Sequence, residues 1–208
     1  MNKENRGRRI TGMVAGNVIL ALGIAVFRFS LTGNDAYTAM NIAISNKIGW
    51  QLGNWQLLVN IVLLAVEFLA GKQYIGWGTL VNGGLLGYMV TFFYNMLTAA
   101  FSLPQTFSVK IVIMLAAVVV TCYGSSLYQA SNEGIALYDY AAIGLRDHLH
   151  LPYFGCRVFT DAMCALVAWL SGGLIGIGTL VCTFLLGPLV SLFTRLVNAK
   201  LLGVENQF

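Results

Sequence analysis

Charged residues are scarce: 12 Lys and Arg and 8 Asp and Glu among 208 residues. A soluble domain carries charge on roughly a quarter of its positions, so this chain lacks the polar surface to keep a globule wet. Histidine is nearly absent. Its two copies sit together in Arg146–His150, "RDHLH", with no further ligand nearby in sequence, and no metal site is expected. The four cysteines (Cys122, Cys156, Cys164 and Cys182) have neither metal nor redox spacing and read as packing residues. No Ser-His-Asp order and no nucleotide fingerprint appears. The Gly-x-Gly-Thr phrases carry no Lys before the Thr or after it, which argues against a phosphate cradle. Neither an enzyme nor a cofactor is expected.

What fills the chain instead is apolar: 58% hydrophobic residues and a mean hydropathy of +0.75. The runs are continuous and about twenty residues long, the length that spans a hydrocarbon core as a helix. The reading is an all-α integral membrane protein forming one membrane domain over 1–208, with the lipid bilayer as its first partner. The basic head "MNKENRGRR" precedes an apolar run from Ile10 to Phe27 that is too long for a signal peptide. It reads as a first span with a cytoplasmic N-terminus. Arg195 and Lys200 place the C-terminus on the same side. The net charge of +4 then reflects orientation in a cell membrane, not nucleic acid.

The chain says one phrase twice: "YIGWGTLVNGGLLGYMVTFF" from Tyr74 and "LIGIGTLVCTFLLGPLVSLF" from Leu174. Sliding the chain against itself sets Gly23 on Gly124, Gly33 on Gly134, Tyr37 on Tyr138 and Gly71 on Gly172. Residues 10–97 and 108–197 therefore read as two copies of one unit. Each has a long helix, a short segment, a second span (54–71 and 155–172) and a third opened by the phrase (76–97 and 174–197). Gly83-x-x-x-Gly87, matched by Thr183 and Gly187, and Gly12-x-x-x-Gly16 predict grooves for close helix approach. The same small-residue faces would serve a homodimer.

The short segments decide topology. About a dozen residues at roughly 1.5 Å each are too few to span, which predicts six transmembrane helices plus two short interfacial or re-entrant ones, with inverted halves. The alternative is eight helices, 4+4, with parallel halves. Counting charge favours this second layout, since Lys47, Lys110, Arg146 and Arg157 would all join the cytoplasmic side.

With its paired Gly-x-Gly-Thr-Leu phrases, its Gly33 and Gly134 turns and its short segments, the chain resembles the YczE/YyaS/YitT family of small bacterial membrane proteins, from Ile10 to Val197. The YitT branch carries a further soluble domain. Ending at Phe208, this chain is similar to the shorter YczE-type branch. The resemblance implies a transporter of the cytoplasmic membrane and brings no established substrate, mechanism or functional residue.

Polar groups inside spans are costly and so point to function. Gln56, Asn60 and Glu67 share one helical stripe, and the counterparts of Gln56 and Asn60 in the second half are Arg157 and Asp161, able to bridge each other. Asn17 adds a polar group to the first helix. Tyr37, Tyr138, Tyr140, Trp50 and Trp55 read as interfacial aromatics, with Tyr37 and Tyr138 as a symmetric ligand pair in the alternative. The candidate substrate-binding set is therefore Asn17, Tyr37, Gln56, Asn60, Glu67, Tyr138, Arg157 and Asp161. The expected function is transport of an unidentified small-molecule substrate between the halves. A non-transporting accessory protein that stabilises a partner complex is the alternative.

Overall fold

The computed structural model describes residues 3–198, and their regular structure is entirely helical. Eight helices follow in order: α1 (Lys3–Ser30), α2 (Ala36–Ile48), α3 (Leu52–Ala70), α4 (Trp77–Ala100), α5 (Phe107–Ala130), α6 (Leu137–Leu149), α7 (Tyr153–Leu170) and α8 (Ile177–Phe193). Two of them, α2 and α6, have 13 residues each and cannot cross a bilayer alone. Among the described residues α1, α3, α5, α7 and α8 are long and apolar enough to cross. At 24 residues α4 is as long as α5. Six long helices and two short ones result. Val62, Phe92, Val112 and Trp169, each more than half exposed, coat the outside with the apolar surface that lipid requires.

The most extensive helix pair is α1 with α5, and it runs antiparallel. Gly16 abuts Tyr128 while Gly23 abuts Thr121, so ascending α1 means descending α5. These glycines let the backbones touch: a Cβ on Gly16 or on Gly23 would stand 2.5 Å from Tyr128 N or Thr121 Oγ1 respectively. At one end Arg9 donates to the carbonyls of Ser131 and Asn132 and pairs with Glu133.

The antiparallel pair corrects the charge count that favoured parallel halves. Tyr74 donates to Asp147, beside Arg146, and Gly78 N donates to the Glu133 carbonyl, so Lys72 and Arg146 share the end of Arg9. Lys110 opens α5 at the opposite end. Lys47 joins it there, since Ala43 of α2 lies against Gly173 in the turn before α8. Arg157 sits at neither end but faces the interior. Arg195 lies at the Arg9 end, where Thr194 bonds Ser126; Lys200 falls outside the described residues.

The repeated phrase holds the two halves together. Gly178 N donates to the Thr32 carbonyl at 2.9 Å, and Gly78 N donates to the Glu133 carbonyl at 2.7 Å. The start of α8 thus grips the turn after α1, and the start of α4 grips the turn after α5. Those turns contain Gly33 at φ +102° and Gly134 at φ +109°, a region that favours glycine. A Cβ on Gly33 would also collide with Thr179 Oγ1. Thr79 Oγ1 accepts from a backbone N–H at the helix start, that of Gly76.

Not every predicted groove is one. Gly87 faces Gln56 and the Cα of Gly53, so α3 does seat there, but around Gly187 there is open space. The short helices cross over: α2 packs on α7 of the second half, and α6 packs on α3 of the first.

Candidate functional site: a central cavity between the halves

Both short helices begin near the middle of the bundle. Asp35 caps α2 by accepting from Thr38 N at 2.9 Å, satisfying a free N–H of the first turn. α6 has no such cap, but Asp139 occupies its first turn, where the helix dipole favours an acidic group. One turn in, Tyr37 and Tyr138 stack on each other with ring centroids 4.4 Å apart. Tyr37 is 8% exposed, which places it in the interior. Buried stacking displaces the interfacial reading of these two rings. Tyr140 is also buried, against Tyr74, whereas Trp50 is exposed as an interfacial residue would be.

Each tyrosine reaches the same place on its neighbouring span. Tyr37 donates to Asn60 Oδ1 at 2.6 Å, and Tyr138 donates to Asp161 Oδ1 at 2.6 Å. Asn60 then donates to the Gly83 carbonyl at 2.7 Å. Arg157 pairs with Asp139 at 2.5 Å and with Asp161 at 3.5 Å. The Arg157–Asp161 bridge expected from the sequence is present, but it is the weaker arm of a triad. The Arg157 guanidinium also lies 4.8 Å from the Tyr138 ring centroid, a cation–π geometry.

Around this cluster lies a cavity of about 860 Å³, within the range of small-molecule sites. Its lining includes Tyr37, Gln56, Asn60, Tyr138, Arg157 and Asp161. Six of the eight candidate residues are therefore brought together. Asn17 stands one layer behind, accepting from Asn82 at 2.7 Å, and Asn82 does line the cavity. Glu67 is elsewhere. It is fully buried where α3 meets α6, and neither carboxyl oxygen has a hydrogen-bond partner among the described residues.

Asp35, Asp139 and Asn82 also line the cavity, and none of the three is in the candidate set read from the sequence. The signal for Asp139 was its position beside Tyr138 at the start of a short helix. At the rim, a hydrogen bond from Arg146 holds the Asp147 carboxyl below its usual range.

The chain matches the family of unknown function DUF6198 over residues 7–195. It is 26% identical to YyaS, an uncharacterized protein of Bacillus subtilis (strain 168), over 90% of this chain and 93% of that one. It is 24% identical to YczE, an uncharacterized membrane protein of the same organism, over 89% and 85%. An uncharacterized protein of Haemophilus influenzae is 22% identical, over 86% and 80%. No solved structure matches. The similarity runs the length of the bundle and takes in every residue of the cavity, so the chain belongs to the DUF6198 family of unknown function.

Proposed function

We propose that this protein is a small-molecule transporter of the cytoplasmic membrane, with both termini cytoplasmic and its site in the central cavity. In this reading residues 10–97 and 108–197 are inverted copies of one unit, and the cavity lies on their pseudo-two-fold axis. The observation that carries it is the stacked Tyr37–Tyr138 pair, each ring anchored to the matched position of its own half, Asn60 or Asp161. Inverted halves can exchange conformations around such a fixed centre, which is the basis of alternating access. Arg6, Arg8, Arg9, Lys72, Arg146 and Arg195 gather at the end assigned to the cytoplasm, against Arg28, Lys47 and Lys110 at the other.

The test is a thermal-stability screen of the purified chain against small charged and aromatic solutes. A solute that raises the melting temperature of the wild type and not of Tyr37→Ala supports a site at the stack. Absence of any such solute, with stoichiometric co-purification of another membrane protein, would support the accessory-protein reading instead.

A further inference from the structure

Three carboxylates, Asp35, Asp139 and Asp161, line the centre of the cavity, and one guanidinium, that of Arg157, answers them. The other charges of the lining are engaged elsewhere or exposed. Glu133 pairs with Arg9, Arg146 pairs with Asp147 at the rim, and Arg195 is exposed. Fully ionised, the centre would hold two more negative charges than positive ones at membrane depth, where an unbalanced charge is costly. Two kinds of partner can cancel that excess: protons, or a mobile cation.

The rest of the cavity is shaped for a cation with an organic body. Leu20, Ile24 and Leu86 give it an apolar wall. The tyrosine stack presents ring faces, and one of them already carries a cation, the Arg157 guanidinium. Gln56, 3% exposed, lines the cavity with no hydrogen-bond partner among the described residues, leaving its amide for a ligand. A volume of about 860 Å³ is far larger than a bare metal ion needs.

We infer that the cavity binds a monovalent organic cation in exchange for protons on its surplus carboxyl groups. This deepens the transport reading and rests on it. As the cation enters, a carboxylic O–H of the cluster gives its proton to water, and the charge of the site is unchanged. The cation and the proton thus compete for one place. The other titratable groups facing the cluster are Tyr37 on α2, Tyr138 on α6, Tyr153 and Cys164 on α7, and Cys182 on α8. Phenols and thiols ordinarily titrate near pH 10 and about 8.5, above carboxyl groups, so a proton exchanged for the cation between pH 6 and 8 comes from the carboxyl cluster.

The experiment measures binding of tetraphenylphosphonium to the full chain in lipid nanodiscs, with tetraphenylborate as an anion of nearly the same shape. The expected result is saturable phosphonium binding whose Kd falls up to about tenfold per pH unit between pH 6 and 8. Titration calorimetry in two buffers of different ionisation enthalpy should show proton release on binding. Asp35→Asn keeps the acceptor that caps α2, so it should fold while losing much of the pH dependence. Equal binding of tetraphenylborate, pH-independent phosphonium binding, or no phosphonium binding would each overturn the inference. If a cavity cysteine is nonetheless reachable from both sides of the membrane, the transport reading stands and the cation class alone fails. If it is not, both fail.

Discussion

Tyr37 and Tyr138 lie face to face, 4.4 Å between centroids and 13° between planes, although they are 101 positions apart in the chain. Each donates its hydroxyl to a residue 23 positions further along, Asn60 or Asp161. The stack joins the two halves at their centre. Tyr37→Phe should keep the stack and lose only one hydrogen bond, costing about 0.5–1.5 kcal/mol. Tyr37→Ala removes a buried ring and its partner contact and should cost about 3–5 kcal/mol. Denaturation of the two variants in one detergent reads the difference. Equal loss in both would mean that the hydroxyl, not the ring, holds the halves.

Arg157 answers two carboxylates, so removing it alone strands both. Arg157→Gln should lose about 3–5 kcal/mol, the usual cost of breaking a buried pair. Changing Asp161→Asn alongside it copies the Gln56 and Asn60 of the first half but still leaves Asp139 unanswered. Adding Asp139→Asn should therefore restore stability to within about 1 kcal/mol of wild type, since neither carboxylate that Arg157 pairs with is then left charged. A triple variant no more stable than Arg157→Gln would show that the guanidinium is needed for something other than these two carboxylates.

Two glycines of the repeated phrase should respond differently. Gly87 touches Gln56 and Gly53, whereas nothing lies within 4 Å of a Cβ placed on Gly187. Gly87→Leu should destabilise by about 1–3 kcal/mol through overpacking. Gly187→Leu should stay within about 0.5 kcal/mol of wild type and narrow the cavity it lines. Thermal denaturation of the purified pair settles the matter; a larger loss at Gly187 would place a helix where the fold has open space.

These contrasts mark how far the sequence was legible. Gly23 and Gly124, Gly33 and Gly134, and the two phrases could be matched by eye, because close backbone approach and a left-handed turn tolerate little else. The polar stripe of α3 was visible for the same kind of reason: Gln56, Asn60 and Glu67 return after about one turn and then about two. Its destination was not. Gln56 and Asn60 meet α2 and the cavity, while Glu67, further along the helix, meets α6 of the other half. Which stretch of α3 meets α2 and which meets α6 depends on the crossover of the short helices, a tertiary relationship that no periodicity encodes. The tyrosines were misplaced for a similar reason. An aromatic beside a turn suits an interface until the turn is known to fold back into the bundle.

Glu67 is buried with no hydrogen-bond partner among the described residues, and the matching position of the second half is Ala168, also buried. Glu67→Gln keeps the shape and removes the charge, so the variant should be at least as stable as wild type. A loss of about 1–3 kcal/mol, the cost of leaving a polar partner unsatisfied, would reveal a group that depends on the carboxylate.

The central claim is that the cavity is a passage served from both faces. Single cysteines replacing Gln56 or Thr183, both in the cavity lining, can be introduced after changing Cys122, Cys156, Cys164 and Cys182 to alanine. Membrane-impermeant thiol reagents are then applied to right-side-out and to inverted vesicles. The account predicts labelling of each position from either side, with a bound solute shifting the balance between sides. Labelling confined to one face, or blocked from both, would contradict it.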